Sequence, residues 1–273
     1  MKKKLKKTSF IFLSLVTAAA AAISVSGCTE QLSSVTETTS ANETTAAATV
    51  SEATTQEVSV AQTKRLSEGD ISVSDTINNS EDGGHAITAD GESADYSHTL
   101  VTKTGDSSGD NADFYGENAA IFATNGGTLN LSNMVVKTDG THANAVFSYG
   151  NGTTVNISDS YINTTGNCSG GLMTTGGGTM NASDLTIETS GNSSAAIRSD
   201  RGGGTVNVSG GYYSTSGKGS PVVYSTADIT VSDAEMVSTA SQGIVVEGKN
   251  SVTLNNVNLT ADNNTKNSDK SSY

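Results

Sequence analysis

The residues of this chain whose types could do chemistry lie in Asp106-Ser-Ser-Gly-Asp110-Asn-Ala-Asp113-Phe-Tyr-Gly-Glu117. Carboxylate oxygens are hard ligands that suit Ca²⁺. Asp106, Ser108, Asp110 and Glu117 fall at positions 1, 3, 5 and 12 of a twelve-residue calcium loop. Asn111 takes the sixth position, where such a loop needs glycine for its turn, and no amphipathic helices flank the stretch. Asp106, Asp110, Asp113 and Glu117 are therefore candidate Ca²⁺ ligands in a simple acidic loop; the alternative is a solvated acidic loop. Arg198 stands two residues before Asp200 and is read as structural. His85, His98 and His142 lie in loop-like surroundings with no recognisable nucleophile partner. Cys168 sits in a Gly/Ser/Asn loop with no histidine beside it in sequence, and is read as inert. No acid/base pair or basic cluster converges, which points away from catalysis without deciding it.

Bulk composition limits the partners. The formal charge is −13, and residues 1–27 hold five lysines and no acid. The remainder carries 10 basic and 28 acidic residues, net −18. Such a surface repels phosphate backbones, so nucleic acid is excluded as a partner. The chain has 29 Gly, 1 Pro and no Trp, and is rich in Ser, Thr and Asn, which favours turns and strands over helices. Its two cysteines, Cys28 and Cys168, cannot build a disulfide framework.

The basic segment Met1–Lys7 leads into an apolar run from Phe10 to Ile23, too short for a confident membrane span. Val25-Ser26-Gly27-Cys28 follows, and the order of these parts resembles the export signal and lipobox of bacterial lipoproteins. The resemblance implies that residues 1–27 are removed and that Cys28 receives a diacylglycerol thioether as the new N-terminus. An ordinary secretory signal with an incidental cysteine is the alternative. Two acyl chains hold a protein stably where one does not, so the expected partner is a membrane, reached through the lipid. Residues 28–66 are rich in Ser, Thr, Ala and Glu, with no apolar period. A segment that buries so little apolar surface cannot offset chain entropy, so it is expected to be a disordered stalk.

A repeat governs everything downstream. TLNLSNMVVKT, TVNISDSYINT, TMNASDLTIET and TVNVSGGYYST begin at Thr128, Thr154, Thr179 and Thr205, with looser copies from Asp228 and Ser251. In each first strand, apolar and polar residues alternate: Leu129 and Leu131, Val155 and Ile157, Val206 and Val208 point one way, and Asn130, Asn156, Asn181 and Asn207 point the other, a ladder of stacked amides read as structural. A turn pair such as Ser158-Asp159 follows, then a second strand with the inward column Val136, Ile162, Ile187, Tyr213, Met236 and Leu259. A small-residue column from Thr138 to Ala261 comes two residues later. A third short strand is expected at Ile121, Val146, Leu172, Ile197, Val223 and Val245.

Three short strands per unit define a solenoid rung. Over about residues 119–261 the pattern resembles the right-handed parallel β-helix of the pectate-lyase-like superfamily and of adhesin-like bacterial proteins. The expected fold is all-β, a right-handed parallel β-helix of about six rungs, spanning 119–273 with its last rung incomplete. Residues 67–118 are read as an N-terminal cap with irregular first rungs. Enzymes of that superfamily use Ca²⁺-holding carboxylates and a basic residue, or paired aspartates with a Gly-His-Gly signature, and the repeat region carries few basic residues and no such signature.

Beside the third inward column runs Phe122, Phe147, Met173, Arg198 and Tyr224, followed by Val246. An outward row of large side chains suits stacking on sugars or docking a protein. Cover by residues 67–118, or a one-residue slip of phase, is the competing reading. The expectation is thus a lipid-anchored cell-surface protein whose β-helix serves adhesion or glycan/protein binding. A polysaccharide lyase or hydrolase on the same scaffold, and a structural spacer, are the alternatives.

Overall fold

A computed structural model describes residues 63–263. Cys28, the export signal and most of the stalk lie outside them. Strand β1 (Asp75–Asn79) precedes seven turns of a right-handed parallel β-helix. The turns are β2 (Ile87–Asp90), β3 (Ser93–Ser97), β4 (Thr99–Lys103); β5 (Ile121–Thr124), β6 (Thr128–Ser132), β7 (Val135–Thr138); and β8 (Val146–Tyr149), β9 (Thr154–Ser158), β10 (Tyr161–Thr164). Next come β11 (Leu172–Thr175), β12 (Gly178–Ser183), β13 (Thr186–Thr189); then β14 (Ile197–Ser199), β15 (Gly204–Ser209), β16 (Tyr212–Thr215). The last two are β17 (Val223–Ser225), β18 (Asp228–Ser232), β19 (Glu235–Ser238), and β20 (Ile244–Val246), β21 (Ser251–Asn255), β22 (Asn258–Ala261). The first strand of each turn builds sheet 1, the second sheet 2, and the third, with β1, sheet 3. Regular pairing begins at β1 and β2, well inside the stretch read as a cap.

The register places like on like. Val136, Ile162, Ile187, Tyr213, Met236 and Leu259 stack in one column of sheet 3. Leu129, Val155, Met180, Val206, Ile229 and Val252 stack in sheet 2. These columns and their sheet 1 counterpart fill a continuous core, because period-two alternation sends every second residue inward. In the last turn the sheet 1 column continues at Ile244, not Val245, since Val223 pairs with Ile244. The step from Ser238 to Ile244 is two residues shorter than the steps from Thr189 to Ile197 and from Thr215 to Val223, which places the column at Ile244.

Sheets 2 and 3 meet at a tight corner that needs one left-handed residue per turn. His98, Asn133, Asp159, Asp184, Gly210, Asp233 and Asn256 fill it with φ between 49° and 72°. Asn, Asp and Gly tolerate that conformation best. No described helix is long and apolar enough to cross a membrane.

Two segments wrap the outside. Residues 63–71 run along sheet 3 against the direction of the turns: Thr63 meets Glu235 of β19, Arg65 pairs with Glu188 of β13 and covers the Tyr212 ring, and Glu68 pairs with Lys137 of β7. Leu66 donates its backbone N–H to Thr186 Oγ1 at 2.7 Å. The second wrap is the long connection from β4 to β5, which contains the one-turn helix α1 (Asp110–Phe114) and lies across sheet 1.

Candidate functional site

The outward stripe of sheet 1 exists, but it is covered. Phe122, Phe147, Met173, Arg198 and Tyr224 are in register with one another. Their exposures are 9%, 0%, 0%, 7% and 4%, so they present no accessible binding face. The cause is the β4–β5 connection. Its Phe114 is buried, with the Arg201 guanidinium 3.6 Å from the ring centroid, and Gly116 lies against the Phe122 ring. Thr175 donates its hydroxyl to the Phe114 carbonyl at 2.6 Å. His85 stacks on Phe122 at 4.6 Å, completing a small outer core with Ala119, Phe147 and Met173. Arg198 pairs with Asp200 at 2.7 Å inside this cover. Burial by itself would lower the Arg198 guanidinium, yet Asp200 outweighs it and the group sits above its ordinary range. The sixth position of the stripe, in the last turn, is Val245, not Val246.

The four carboxylates do not gather. Asp110 reaches Arg201 at 2.7 Å, Asp113 reaches His142 at 2.7 Å, and Asp106 accepts from the Thr141 N–H at 2.6 Å. Among the described residues these side chains fasten the sheet 1 cover to three places instead of converging on one centre. Such work needs acids spread along the segment, which is what the spacing 106, 110, 113, 117 supplies.

One grouping was not visible in the sequence. Asp113, His142 and Cys168 bring ligand atoms within 4.8 Å of one another, all buried. His142 and Cys168 occupy equivalent left-handed corner positions one turn apart, with φ of 57° and 56°. Only the alignment of turns could have paired them, and Asp113 arrives from the cover by folding alone. The Asp113–His142 contact is a clasp for the cover.

The accessible face is on sheet 2. Its outward residues form two polar ladders along the solenoid. Asn207 donates its amide to Asn181 Oδ1 at 3.0 Å, Asn181 to Asn156 at 2.9 Å, and Asn156 to Asn130 at 2.8 Å. Asn130 ends the chain on Asp95 Oδ1 at 2.7 Å. Ser132, Ser158, Ser183, Ser209 and Ser232 run alongside. Together they line an open cleft of about 750 Å³ from Asp95 on β3 to Thr230 and Ser232 on β18. The ladder was visible in the sequence as a recurring Asn between inward residues; that no described segment covers the face was not.

A titratable group marks the first turn. Lys103 is fully buried in the column otherwise held by Thr138, Thr164 and Thr189. Its ammonium donates to the carbonyls of Glu81 at 2.6 Å and Gly105 at 3.2 Å. Burial pushes it below its ordinary range, with Asp82, Asp106 and Glu81 pulling back.

Comparison of the chain with family models, curated proteins and solved structures found no match.

Proposed function

We propose that this chain is a lipid-anchored bacterial surface protein whose β-helix is a non-catalytic scaffold binding a glycan or a surface protein. The observation that carries the binding part is the open cleft on sheet 2, which displays the Asn and Ser ladders and is crossed by no described segment, whereas the other two sheets carry wrapped segments. A rigid side-chain lattice binds with little entropy loss, because its groups are ordered beforehand. The Asn ladder has that property, each amide being fixed by its neighbours.

The anchor part rests on the lipobox-like Val25-Ser26-Gly27-Cys28. One sulfur cannot carry both a lipid thioether and a disulfide, so lipidation of Cys28 excludes a bond between the chain's two cysteines. Intact-mass measurement on protein extracted from membranes reads this directly. A diacylglyceryl adduct on Cys28, and release of a Cys28→Ala variant into the soluble fraction, are expected. A mature chain whose cysteines are joined to each other would refute the anchor.

For the binding part, retention of soluble glycans or surface extracts by the full mature chain is expected without product release. Release of unsaturated or reducing ends from a polysaccharide would make the protein a lyase or hydrolase.

A further inference from the structure

We propose that the sheet 2 cleft binds a neutral, linear polysaccharide lying along the solenoid axis, one sugar to each turn. This rests on the binding reading above and names its ligand class.

The first argument is unused hydrogen-bonding capacity. A side-chain amide has two N–H donors and two acceptor lone pairs. Within the ladder, Asn156 and Asn181 each use one N–H and one lone pair on their neighbours. One donor and one acceptor per turn remain, on side chains that are only half-buried. The hydroxyls of Ser158 and Ser183 on the same lining add a further donor-acceptor group in each turn. Neighbouring parallel strands lie about 4.8 Å apart, close to the advance of one ring in an extended sugar chain. Donor, acceptor and hydroxyl thus recur with the period of a glycan. An extended peptide would bring its matching groups at a longer interval, two residues at about 3.3 Å each.

The second argument is charge. The cleft is lined by no Lys or Arg, and Asp95 at one end is its charged residue. The whole chain is at −13. Acidic polymers and phosphate backbones are repelled by such a site, whereas a neutral polyol is not. The third argument is the lining itself. Protein partners are held by buried aromatic and Arg anchors, and Tyr96 is the one aromatic in the lining. The ladder also has a direction, since every amide donates toward Asp95. A bound chain, which has its own direction, is therefore accommodated in a preferred sense.

The test is calorimetric titration of the full mature chain with gluco-, manno-, galacto- and xylo-oligosaccharides of two to eight sugars. Oligogalacturonates serve as acidic probes. Affinity for at least one neutral series should rise roughly three- to tenfold per added sugar, the value of about one net hydrogen bond, and level off near six. Acidic oligomers should bind at least tenfold more weakly than neutral ones of equal length. Ser183→Glu fills the cleft without touching the ladder, and Asn181→Leu removes one rung's amide. Each should weaken the longest neutral ligand about tenfold, with Ser183→Glu melting at the wild-type temperature. No binding by any neutral series, no length dependence, equal acidic binding, or indifference to both substitutions would each overturn the proposal. Membrane retention is measured on the same preparation. Retention without glycan binding sinks the ligand class alone, while loss of retention sinks the anchor.

Discussion

Gly166→Ala is the substitution whose cost the stacking of turns sets most directly. Gly140, Gly166, Gly191 and Gly217 form a column, and each lies over the carbonyl of the glycine one turn earlier. None of the four has a left-handed φ, so their backbone angles would accept alanine. What they lack is room. A methyl group at Gly166 would fall on the Gly140 carbonyl, and its next nearest neighbours are also backbone atoms of that turn. That backbone is tied down by Thr165 N–H donating to the Thr138 carbonyl at 2.9 Å and by Ser169 Oγ donating to the Gly140 carbonyl at 2.8 Å. Overpacking against a fixed neighbour costs about 1–3 kcal/mol. Parting the turns enough to relieve it loses one of these bonds, about 1 kcal/mol. The expected total is about 2–4 kcal/mol. Two other glycines calibrate the scale. Gly69 has no atom nearer than 3.9 Å to an added methyl, so Gly69→Ala should change stability by less than about 0.5 kcal/mol. Gly126 has nothing within 4 Å but φ +81°, so Gly126→Ala should cost only the left-handed strain, about 1–2 kcal/mol. Urea unfolding of all three, followed by circular dichroism and tyrosine fluorescence, is the assay. Two probes are needed because a solenoid can lose its turns in separate steps. If Gly166→Ala lies within 0.5 kcal/mol of Gly69→Ala, the close approach of turns is not what excludes a side chain there.

Lys103 has its ammonium pushed down by burial, so the unfolded chain binds more protons than the folded one over an alkaline window. Its stabilising contribution therefore rises with pH from the lowered value up to the ordinary 10.5, and Lys103→Met should remove that slope in urea titrations between pH 8 and 10.5. Arg198→Met strands the buried Asp200 carboxylate and should cost about 3–5 kcal/mol, while the double change with Asp200→Leu should recover most of it. Because Asp106, Asp110 and Asp113 hold separate partners, millimolar Ca²⁺ or a chelator should leave the melting temperature within a degree; a rise of several degrees with Ca²⁺ would show that the cover rearranges around an ion.

The turn pattern was legible because it is written in local terms. Alternation at Leu129 and Leu131 and the left-handed corner at Asp159 are set by residues a few positions apart, so aligning the copies was enough to place nearly every inward column. The single slip, Val245 for Ile244, came from a connection of different length, which alternation does not register. What lay outside the turns was not legible. Residues 106–117 offered a candidate Ca²⁺ loop beside a solvated acidic loop, because acids close in sequence suggest one centre, but the fold spreads them over His142, Thr141 and Arg201.

By itself the sequence determined the architecture: the period, the inward columns, the corner residues and the Asn ladder all follow from strand alternation and turn chemistry repeated along one axis. Only the tertiary structure decided which outer face is open. Sheet 1 is closed by a segment that crosses it from the turn of β4 to Arg201, and sheet 3 by an arm that runs back from β19 to β7. No described segment crosses sheet 2, whose ladder lines an open cleft. Such contacts join residues as far apart as Thr63 and Glu235. They depend on the whole stack existing first, and a local pattern of polar and apolar residues carries no record of them.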